Sequence, residues 1–318
     1  MRREMTNMNK PTVTVVITCY NYVEYVGEAI QSVLSQTYDN IDLLVIDDGS
    51  TDDSLDIINK YQSHDRVRII SRANKGIVYT RNEALRQVKS DFICFLDADD
   101  YFDESYVSDM VAVAESTGAD VTYPNWRIFG DDNYTMTFSE FDVQKLIRQE
   151  IHCTSESLMR RASLGGHIFQ SEEVAEDWDF FLGLALDGRK FKLAKNCFIN
   201  YRVRKGTRGA QRTYWEDMYY FCEILKKWNK RYPRQVNPFD LPIYAGRMRD
   251  EHIESQQSII RHKDEKLEEY DYRLKQQTKD MQTLKDELRV LRGSLSYRLG
   301  RTFTGPFRAL KHIFSTRK

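Results

Sequence analysis

The sequence TVTVVITCYN, residues 12–21, is an apolar, β-branched run that ends in polar residues. A continuous run of this kind is typical of a strand that is buried on both faces of a parallel sheet. Further predicted strands follow at 41–46, 67–70 and 92–96. The repetition predicts that these four strands belong to one sheet.

Predicted helices separate the strands. Apolar residues recur at helical spacing over 25–36, and another helix is predicted over 77–88. Ser50 is predicted to begin a helix between them, with Asp53 three residues later in the pattern of a capping box. Strands that alternate with helices predict an α/β, Rossmann-like fold, in which a mostly parallel sheet carries helices on both faces.

Polar clusters follow three of these strands: TCYN (18–21), DDGSTDDS (47–54) and DADD (97–100). In such sheets ligands bind beyond the carboxyl ends of the strands. Burying unpaired carboxylates costs several kcal/mol, roughly, per ion. A divalent cation that also binds substrate phosphates would compensate for the aspartates. The glycine loops GxGxxG after the first strand and GxxxxGK[ST] are absent from the sequence, which argues against the usual dinucleotide and P-loop sites.

Four ordered segments carry a resemblance to a known family: the stretch 15–54, NKGIVYTRNEAL (74–85), FLDADD (95–100) and AEDWDFFLGLA (175–185). Together, over residues 13–202, they resemble the family 2 inverting glycosyltransferases of GT-A fold, of the type that builds bacterial cell-surface polysaccharides. The resemblance implies transfer of a sugar, with inversion, from a nucleoside-diphosphate sugar to a hydroxyl of a lipid-linked or polymeric surface glycan. A UDP-hexose is the favoured donor, and dTDP-rhamnose is the next.

The resemblance also implies roles for residues on the donor side. Thr18 and Tyr20 would flank the base, and Asp48 would read uracil or thymine. Arg81 would lie on the diphosphate side, in the helix that follows the NKG sequence.

The DxD pair and the EDW sequence complete the implied site. Asp97 would lie near the ribose, and Asp99 would bind Mn²⁺ or Mg²⁺. Asp177 would be the catalytic base, because an acceptor hydroxyl must lose a proton as it attacks the anomeric carbon. Arg204 stands where family members often carry a histidine. Since a guanidinium cannot bind a metal, it would clamp the diphosphate instead, with a solvated basic loop as the alternative.

Several of these aspartates and Arg81 have simpler interpretations. Asp52 and Asp53 are expected to cap a helix, and Asp100 to be a solvated turn residue. Arg81 is alternatively a surface helix residue, and Asp177 the cap of a helix that starts at Trp178.

Two histidines and two aromatic residues are also open to interpretation. His152 and His167 are expected to be structural rather than ligands. Trp178 and Phe180 would either shape an acceptor platform or pack in the core. For the whole protein, the alternative is a non-catalytic GT-A-like scaffold that acts through its coiled coil.

The C-terminal third has a heptad pattern instead. Positions a are Ile253, Ile260, Leu267, Leu274, Met281 and Leu288; positions d are Gln256, Lys263, Tyr270, Gln277, Leu284 and Leu291. This pattern predicts a coiled coil that makes a homodimer through 253–291. A long helix that packs on the catalytic domain is the alternative.

The last 26 residues, 293–318, contain six Lys/Arg and no Asp or Glu, and apolar residues recur at helical spacing. Such a basic amphipathic stretch indicates a membrane-surface anchor, with docking on a partner protein as the alternative. The predicted domains are therefore a GT-A domain (1–245), a coiled-coil helix (246–292) and a basic tail (293–318).

The composition of the chain indicates where in the cell the protein is expected to act. The net charge of −1 gives no indication of nucleic acid, and five scattered cysteines suit a reducing compartment. No apolar run is long enough for a transmembrane helix, and the N-terminus lacks the apolar region of a signal peptide. The expected location is cytoplasmic, peripheral at the inner face of the cell membrane.

Overall fold

The structure is a computed structural model that describes residues 10–170, 175–204, 214–238, 266–268 and 271–290. The chain divides into two units, Met1–Gly246 and Arg247–Lys318. The first unit contains every strand described below. In the second unit, residues 271–290 form a helical segment.

The strands of the described residues are β1 (Val13–Cys19), β2 (Ile41–Asp47), β3 (Val67–Ser71), β4 (Phe92–Asp97), β5 (Tyr101–Phe102), β6 (Val121–Gly130), β7 (Tyr134–Met136), β8 (Leu158–Arg160) and β9 (Phe191–Val203). The helices are α1 (Val26–Leu34), α2 (Ser54–Asn59), α3 (Ile77–Gln87), α4 (Tyr106–Thr117), α5 (Val143–Ile147), α6 (Glu176–Leu186) and α7 (Tyr214–Arg231). All nine strands form one sheet in the order β3-β2-β1-β4-β8-β6-β9-β5, and β7 pairs with β6.

The four predicted strands are confirmed, and they are parallel. Val13 lies beside Ile41 on β2 and Phe92 on β4, and Thr18 at the other end lies beside Asp97. Because parallel strands point the same way, their polar carboxyl ends lie at a single edge of the sheet.

The sheet is mixed, so the prediction of a mostly parallel sheet holds for β1 to β4 but not for the whole sheet. Strand β8 is antiparallel to β4 and β6, β5 is antiparallel to β9, and β6 is parallel to β9. The βαβ pattern predicts only β1 to β4. The later strands lack that alternation, and the sequence pattern therefore does not reveal their pairing.

Helix α2 begins at Ser54, so the predicted capping box at Ser50 is wrong. The Asp52 carboxylate instead accepts hydrogen bonds from the Ser54 and Val23 amides, at 3.0 and 3.1 Å. Asp52 therefore fixes the start of α2 and also holds the loop that follows β1. No side-chain capping bond is made by Asp53.

The core covers both faces of the sheet, as the sequence predicts. Val16 and Leu44 pack on the face that carries α3, α6 and α7, whereas Val15 and Val45 pack on the face that carries α1, α2 and α4. All five cysteines are free thiols. Within the described part of the chain, every helix is too short or too polar to cross a membrane.

Helices α6 and α7 are joined by a buried polar contact. The Asp179 carboxylate is 2% exposed, and it accepts hydrogen bonds from Lys227 Nζ and, at 2.7 Å, from Trp228 Nε1. The Trp228 ring lies against Gly183 so closely that a Cβ atom there would be 2.7 Å from the ring and 3.1 Å from His167 Nδ1. The glycine therefore determines how closely the two helices approach.

We expect Gly183→Ala to lower the free energy of unfolding by about 1–3 kcal/mol, because the added methyl group overpacks the contact with Trp228. The matched control is Gly27→Ala in α1, where a Cβ atom meets only Ile57 at 3.4 Å. Both substitutions gain helix propensity, about 1 kcal/mol for Gly183 inside its helix and less for Gly27 in the first turn, so the propensities alone would favour Gly183→Ala. The difference between them in urea unfolding therefore reports packing, and equal stabilities would contradict this description.

Candidate active site

The polar carboxyl ends of β1, β2 and β4 meet at one edge, as predicted. Thr18 on β1 is buried, and its neighbours across the sheet are Ile46 and Asp97. Tyr20, in the loop that follows β1, is 45% exposed. A buried hydroxyl and an exposed ring therefore lie at the same edge as the aspartates.

Asp48 is buried and held in place by the loop that follows β3. Its Oδ1 atom accepts hydrogen bonds from the Lys75 amide at 2.8 Å and from the Arg72 guanidinium. Gly49, with φ of +75°, allows this approach, since a Cβ atom there would lie 2.5 Å from the Asn74 amide nitrogen. Arg72 was not predicted as a site residue, although its position two residues after the third predicted strand was a usable signal.

Arg81 is 3% exposed, so the alternative of a surface helix residue is wrong. Its Nη2 atom donates to Asp97 Oδ1 at 2.9 Å and to Ser155 Oγ at 3.1 Å, and its Nη1 atom donates to Glu176 Oε1 at 2.8 Å. Burial would lower the pKa of Arg81, but Asp97 and Glu176 outweigh this and raise it. The guanidinium thus joins the DxD loop to the EDW helix.

Three carboxylates lie close together beside this arginine. In the described part of the chain, Asp97, Asp100 and Glu156 can each offer an oxygen within 4.8 Å of the others. Asp100 and Glu156 are 2% and 1% exposed, so the prediction of a solvated Asp100 is wrong. The cause is the Arg202 amide, which donates to Asp100 Oδ1 at 2.7 Å and holds this side chain inside the protein.

Burial also raises the pKa values of two carboxyl groups in this cluster. Burial and the nearby Asp97 raise the pKa of Glu156 to about 7, and burial and Glu156 raise the pKa of Asp100. Carboxylates at this spacing repel, and a cation or a proton relieves the repulsion. Hard oxygen donors of this kind suit Mg²⁺ or Mn²⁺. Glu156 was missed, because nothing in its local sequence marks it.

Asp99, the predicted metal ligand, lies outside this group of three. Its Oδ2 atom accepts a hydrogen bond from Arg204 Nη2 at 2.8 Å. Burial and Asp97 raise the pKa of Asp99, and Arg204 opposes the shift. The Arg204 guanidinium also lies over the rings of Tyr22 and Tyr25, at 5.2 and 4.6 Å. Arg204 is therefore at the site, and the alternative of a solvated loop does not describe it.

Asp177 is half-buried in the first turn of α6, which begins at Glu176 and not at Trp178 as the capping alternative required. Its Oδ1 atom does accept a hydrogen bond from the Trp178 amide, at 2.7 Å. Burial and the adjacent Glu176 raise the pKa of Asp177 to about 7, and Arg81 limits the rise. A carboxyl group of this pKa exchanges protons near neutral pH, as a general base must.

The remaining candidates have structural contacts. Trp178 and Phe180 are buried, and the Trp178 ring donates to the Leu146 carbonyl, so core packing is the correct interpretation. His152 lies between aromatic rings, and burial lowers its pKa to about 4. His167 lies 2.7 Å from Asp187 Oδ2. Both histidines are structural, as expected.

The fold and this edge of carboxylates define a GT-A-like α/β transferase, and comparison with known proteins agrees. The model of glycosyl transferase family 2 matches residues 14–169. An Escherichia coli protein, UDP-Glc:alpha-D-GlcNAc-diphosphoundecaprenol beta-1,3-glucosyltransferase WfaP, is 30% identical over 220 residues, which cover 68% of this chain and 84% of that protein. The chain belongs to glycosyl transferase family 2, and it is a glycosyltransferase of the bacterial polysaccharide type.

Solved structures share the fold. S. aureus TarS (residues 1–349), in complex with UDP-GlcNAc, has a TM-score of 0.59 at 21% identity, over 67% of this chain and 66% of that one. Mannosyltransferase PcManGT from Pyrobaculum calidifontis, in complex with GDP-Man and Mn²⁺, has a TM-score of 0.53 at 17% identity, over 75% and 69%. The chain spans about half or less of the length of several other curated relatives.

The raised pKa of Asp177 predicts a pH dependence. Below about pH 7 this carboxyl group holds a proton and cannot accept another. We therefore expect kcat/KM for sugar transfer to fall about tenfold per pH unit below this pKa, and to level off above it. Because Glu156 has a similar pKa, the control is Glu156→Gln, which should keep the acid limb. A pH-independent kcat/KM between about pH 5 and 8 would contradict the assignment of Asp177 as the base.

Proposed function

We propose that this protein is a metal-dependent inverting glycosyltransferase that extends a lipid-linked or polymeric surface glycan. A UDP-hexose is the favoured donor, followed by dTDP-rhamnose. The name of WfaP specifies UDP-Glc and a diphosphoundecaprenol-linked acceptor, and TarS was solved with UDP-GlcNAc. These relatives support a UDP-sugar and a lipid-linked acceptor for this chain.

One observation carries the proposal, namely the two ion pairs of Arg81. A single buried guanidinium contacts Asp97 of the DxD loop at 2.9 Å and Glu176, the neighbour of Asp177, at 2.8 Å. One guanidinium therefore pairs with the carboxylate assigned to the donor and with the residue that precedes Asp177, and its charge also acts on Asp177. An inverting transfer requires both at the same reacting carbon.

The donor would bind along the carboxyl ends of the parallel strands. Asp48 would accept a hydrogen bond from the N3–H group of uracil, while Thr18 and Tyr20 flank the base. Arg72 and the Lys75 amide would keep the Asp48 carboxylate oriented, since both already donate to it. The Arg81 guanidinium would act mainly through its carboxylate partners, because these occupy it.

The carboxylates beside Arg81 fit a divalent cation. Asp99 would hold Mn²⁺ or Mg²⁺, and Asp97 would lie near the ribose. When bound, the cation neutralises the charge that develops on the departing nucleoside diphosphate. The PcManGT structure, which contains Mn²⁺, supports a divalent cation at this edge, and the nearby cluster of Asp97, Asp100 and Glu156 adds suitable oxygen donors.

Asp177 would accept the proton of the acceptor hydroxyl as that hydroxyl attacks the anomeric carbon. The bond to the diphosphate oxygen breaks in the same step, so a single displacement inverts the configuration. No observation specifically favours the scaffold alternative.

We expect Asp177→Asn to lower kcat of sugar transfer by roughly 10²–10⁴, since the amide keeps the shape but cannot accept the proton. Binding of UDP should be retained. The matched control is Asp109→Asn, an exposed aspartate in the first turn of α4, which loses the same charge at a similar helix position. Transfer from UDP-hexoses and dTDP-rhamnose to a polyprenyl-diphosphate sugar is measured with Mn²⁺. Normal turnover by Asp177→Asn would contradict the assignment of Asp177 as the catalytic base. Full turnover in excess EDTA would contradict the proposed dependence on a divalent cation.

The proposed domain organisation is a GT-A domain (1–245), a coiled-coil helix (246–292) and a basic tail (293–318). Residues 271–290 of the coiled-coil helix are helical, and their apolar heptad side chains are exposed: Leu274, Met281, Leu284 and Leu288. Apart from 266–268, the rest of the predicted coiled coil and the whole tail lie outside the described residues.

Charges beside the heptad support a parallel homodimer. Asp280 occupies a g position and Lys285 the e position five residues later, and these positions face each other between chains in a parallel pair. Glu287 and Arg292 repeat this relation one heptad further along the sequence.

We expect the full chain to be a dimer and Met281→Glu to make it monomeric at micromolar concentration, because the charge falls at an apolar a position. Gln282→Glu adds the same charge one residue later, at an outward b position, and should remain dimeric. Light scattering measures the mass. Monomeric wild-type protein would contradict the dimer.

The same preparations can test the proposed position of the enzyme at the cytoplasmic face of the membrane. Each Lys or Arg near an anionic surface is worth about 1 kcal/mol. Deletion of 293–318 should therefore release the protein from anionic vesicles and spare donor hydrolysis. Undiminished vesicle binding by the deletion would contradict the membrane role of the tail.

A further inference from the structure

We propose that Arg204 occupies Asp99 when no cation is bound, and that it gives up this carboxylate only when a divalent cation arrives together with a nucleoside diphosphate. This inference rests on the proposed function, in which Asp99 binds the metal. Its consequence is that metal and nucleotide bind cooperatively and that neither binds well alone.

The first support is the geometry of the end of β9. The Arg202 amide donates to Asp100 Oδ1 at 2.7 Å, and Arg202 Nε donates to the Asp99 carbonyl at 2.8 Å. These two bonds fasten the strand to the DxD loop. Arg204 follows two residues later, and its guanidinium reaches Asp99 Oδ2 at 2.8 Å. The contact is therefore a consequence of how the backbone is anchored.

The second support is a place where the guanidinium can stay when the ion pair breaks. The rings of Tyr22 and Tyr25 lie 5.2 and 4.6 Å from the centre of the Arg204 guanidinium. Such cation–π contacts do not depend on Asp99. Arg204 can therefore release the carboxylate and remain at the edge of the site.

The third support is electrostatic competition. A divalent cation on Asp99 repels a guanidinium that holds the same carboxylate. A cation that arrives alone must break the ion pair without replacement. A diphosphate supplies oxygens to the cation and also accepts bidentate hydrogen bonds from Arg204, so it compensates for the broken contact. By linkage, each ligand then strengthens the binding of the other by the same factor.

Binding of Mn²⁺ to the full chain without nucleotide, followed by electron paramagnetic resonance, tests the competition directly. We expect Arg204→Gln to bind Mn²⁺ about tenfold more tightly than wild type, which is the usual size of a lost charge-assisted hydrogen bond. Arg204→Lys keeps the positive charge and should remain near wild type. Arg68→Gln, which removes an exposed charge from β3, is the matched control and should also remain near wild type.

Equilibrium dialysis of UDP, with and without Mn²⁺, tests the cooperativity. Wild type and Arg68→Gln should bind UDP at least about tenfold more tightly with Mn²⁺, and Arg204→Gln should lose most of this gain. If Mn²⁺ alone binds Arg204→Gln and Arg68→Gln equally, the inference is overturned while the metal-dependent function stands. If Mn²⁺ binds no variant and does not change UDP binding, the metal site and the inference both fail.

Discussion

The buried guanidinium of Arg81 is the constraint on which the rest of the site depends. Taking such a charge out of water costs several kcal/mol, roughly, and only paired carboxylates can offset this cost. Asp97 and Glu176 provide the pairing, and Ser155 accepts a further hydrogen bond. Because its carboxylate partners belong to β4 and α6, Arg81 fixes the position of the EDW helix relative to the edge of the sheet. Displacing either element would leave a charge unpaired inside the protein.

The site contains more carboxylates than Arg81 can pair with, and this excess of negative charge explains their raised pKa values. Asp99, Asp100, Glu156 and Asp177 all have pKa values raised by burial and by neighbouring carboxylates. Positive charge is therefore favoured here, whether a proton, an arginine or a cation supplies it. In this structure Arg204 supplies part of it, through Asp99. The same electrostatic demand thus acts on the carboxylates of the DxD loop and on Asp177 in α6.

Contacts around the site hold its side chains in place. Arg72 and the Lys75 amide fix Asp48, and Asp179 joins α6 to Trp228 of α7. Close backbone approach at Gly49 and close helix packing at Gly183 both require the absence of a side chain. Each of these contacts joins segments that lie far apart in the chain, so the motifs by themselves do not reveal them.

The sequence by itself determined the parallel half of the sheet and the edge at which the site lies. Continuous apolar runs can be buried only as central strands, and polar residues after β1, β2 and β4 must then share one edge. It also indicated Asp48, Asp97, Asp99 and Asp177 as candidate site residues, because these residues lie in short motifs. The tertiary structure decided the pairing of β5 to β9, the burial of Arg81 and Asp100, and the presence of Glu156 in the carboxylate cluster. These features depend on contacts between residues far apart in the chain, and local periodicity carries no information about such contacts.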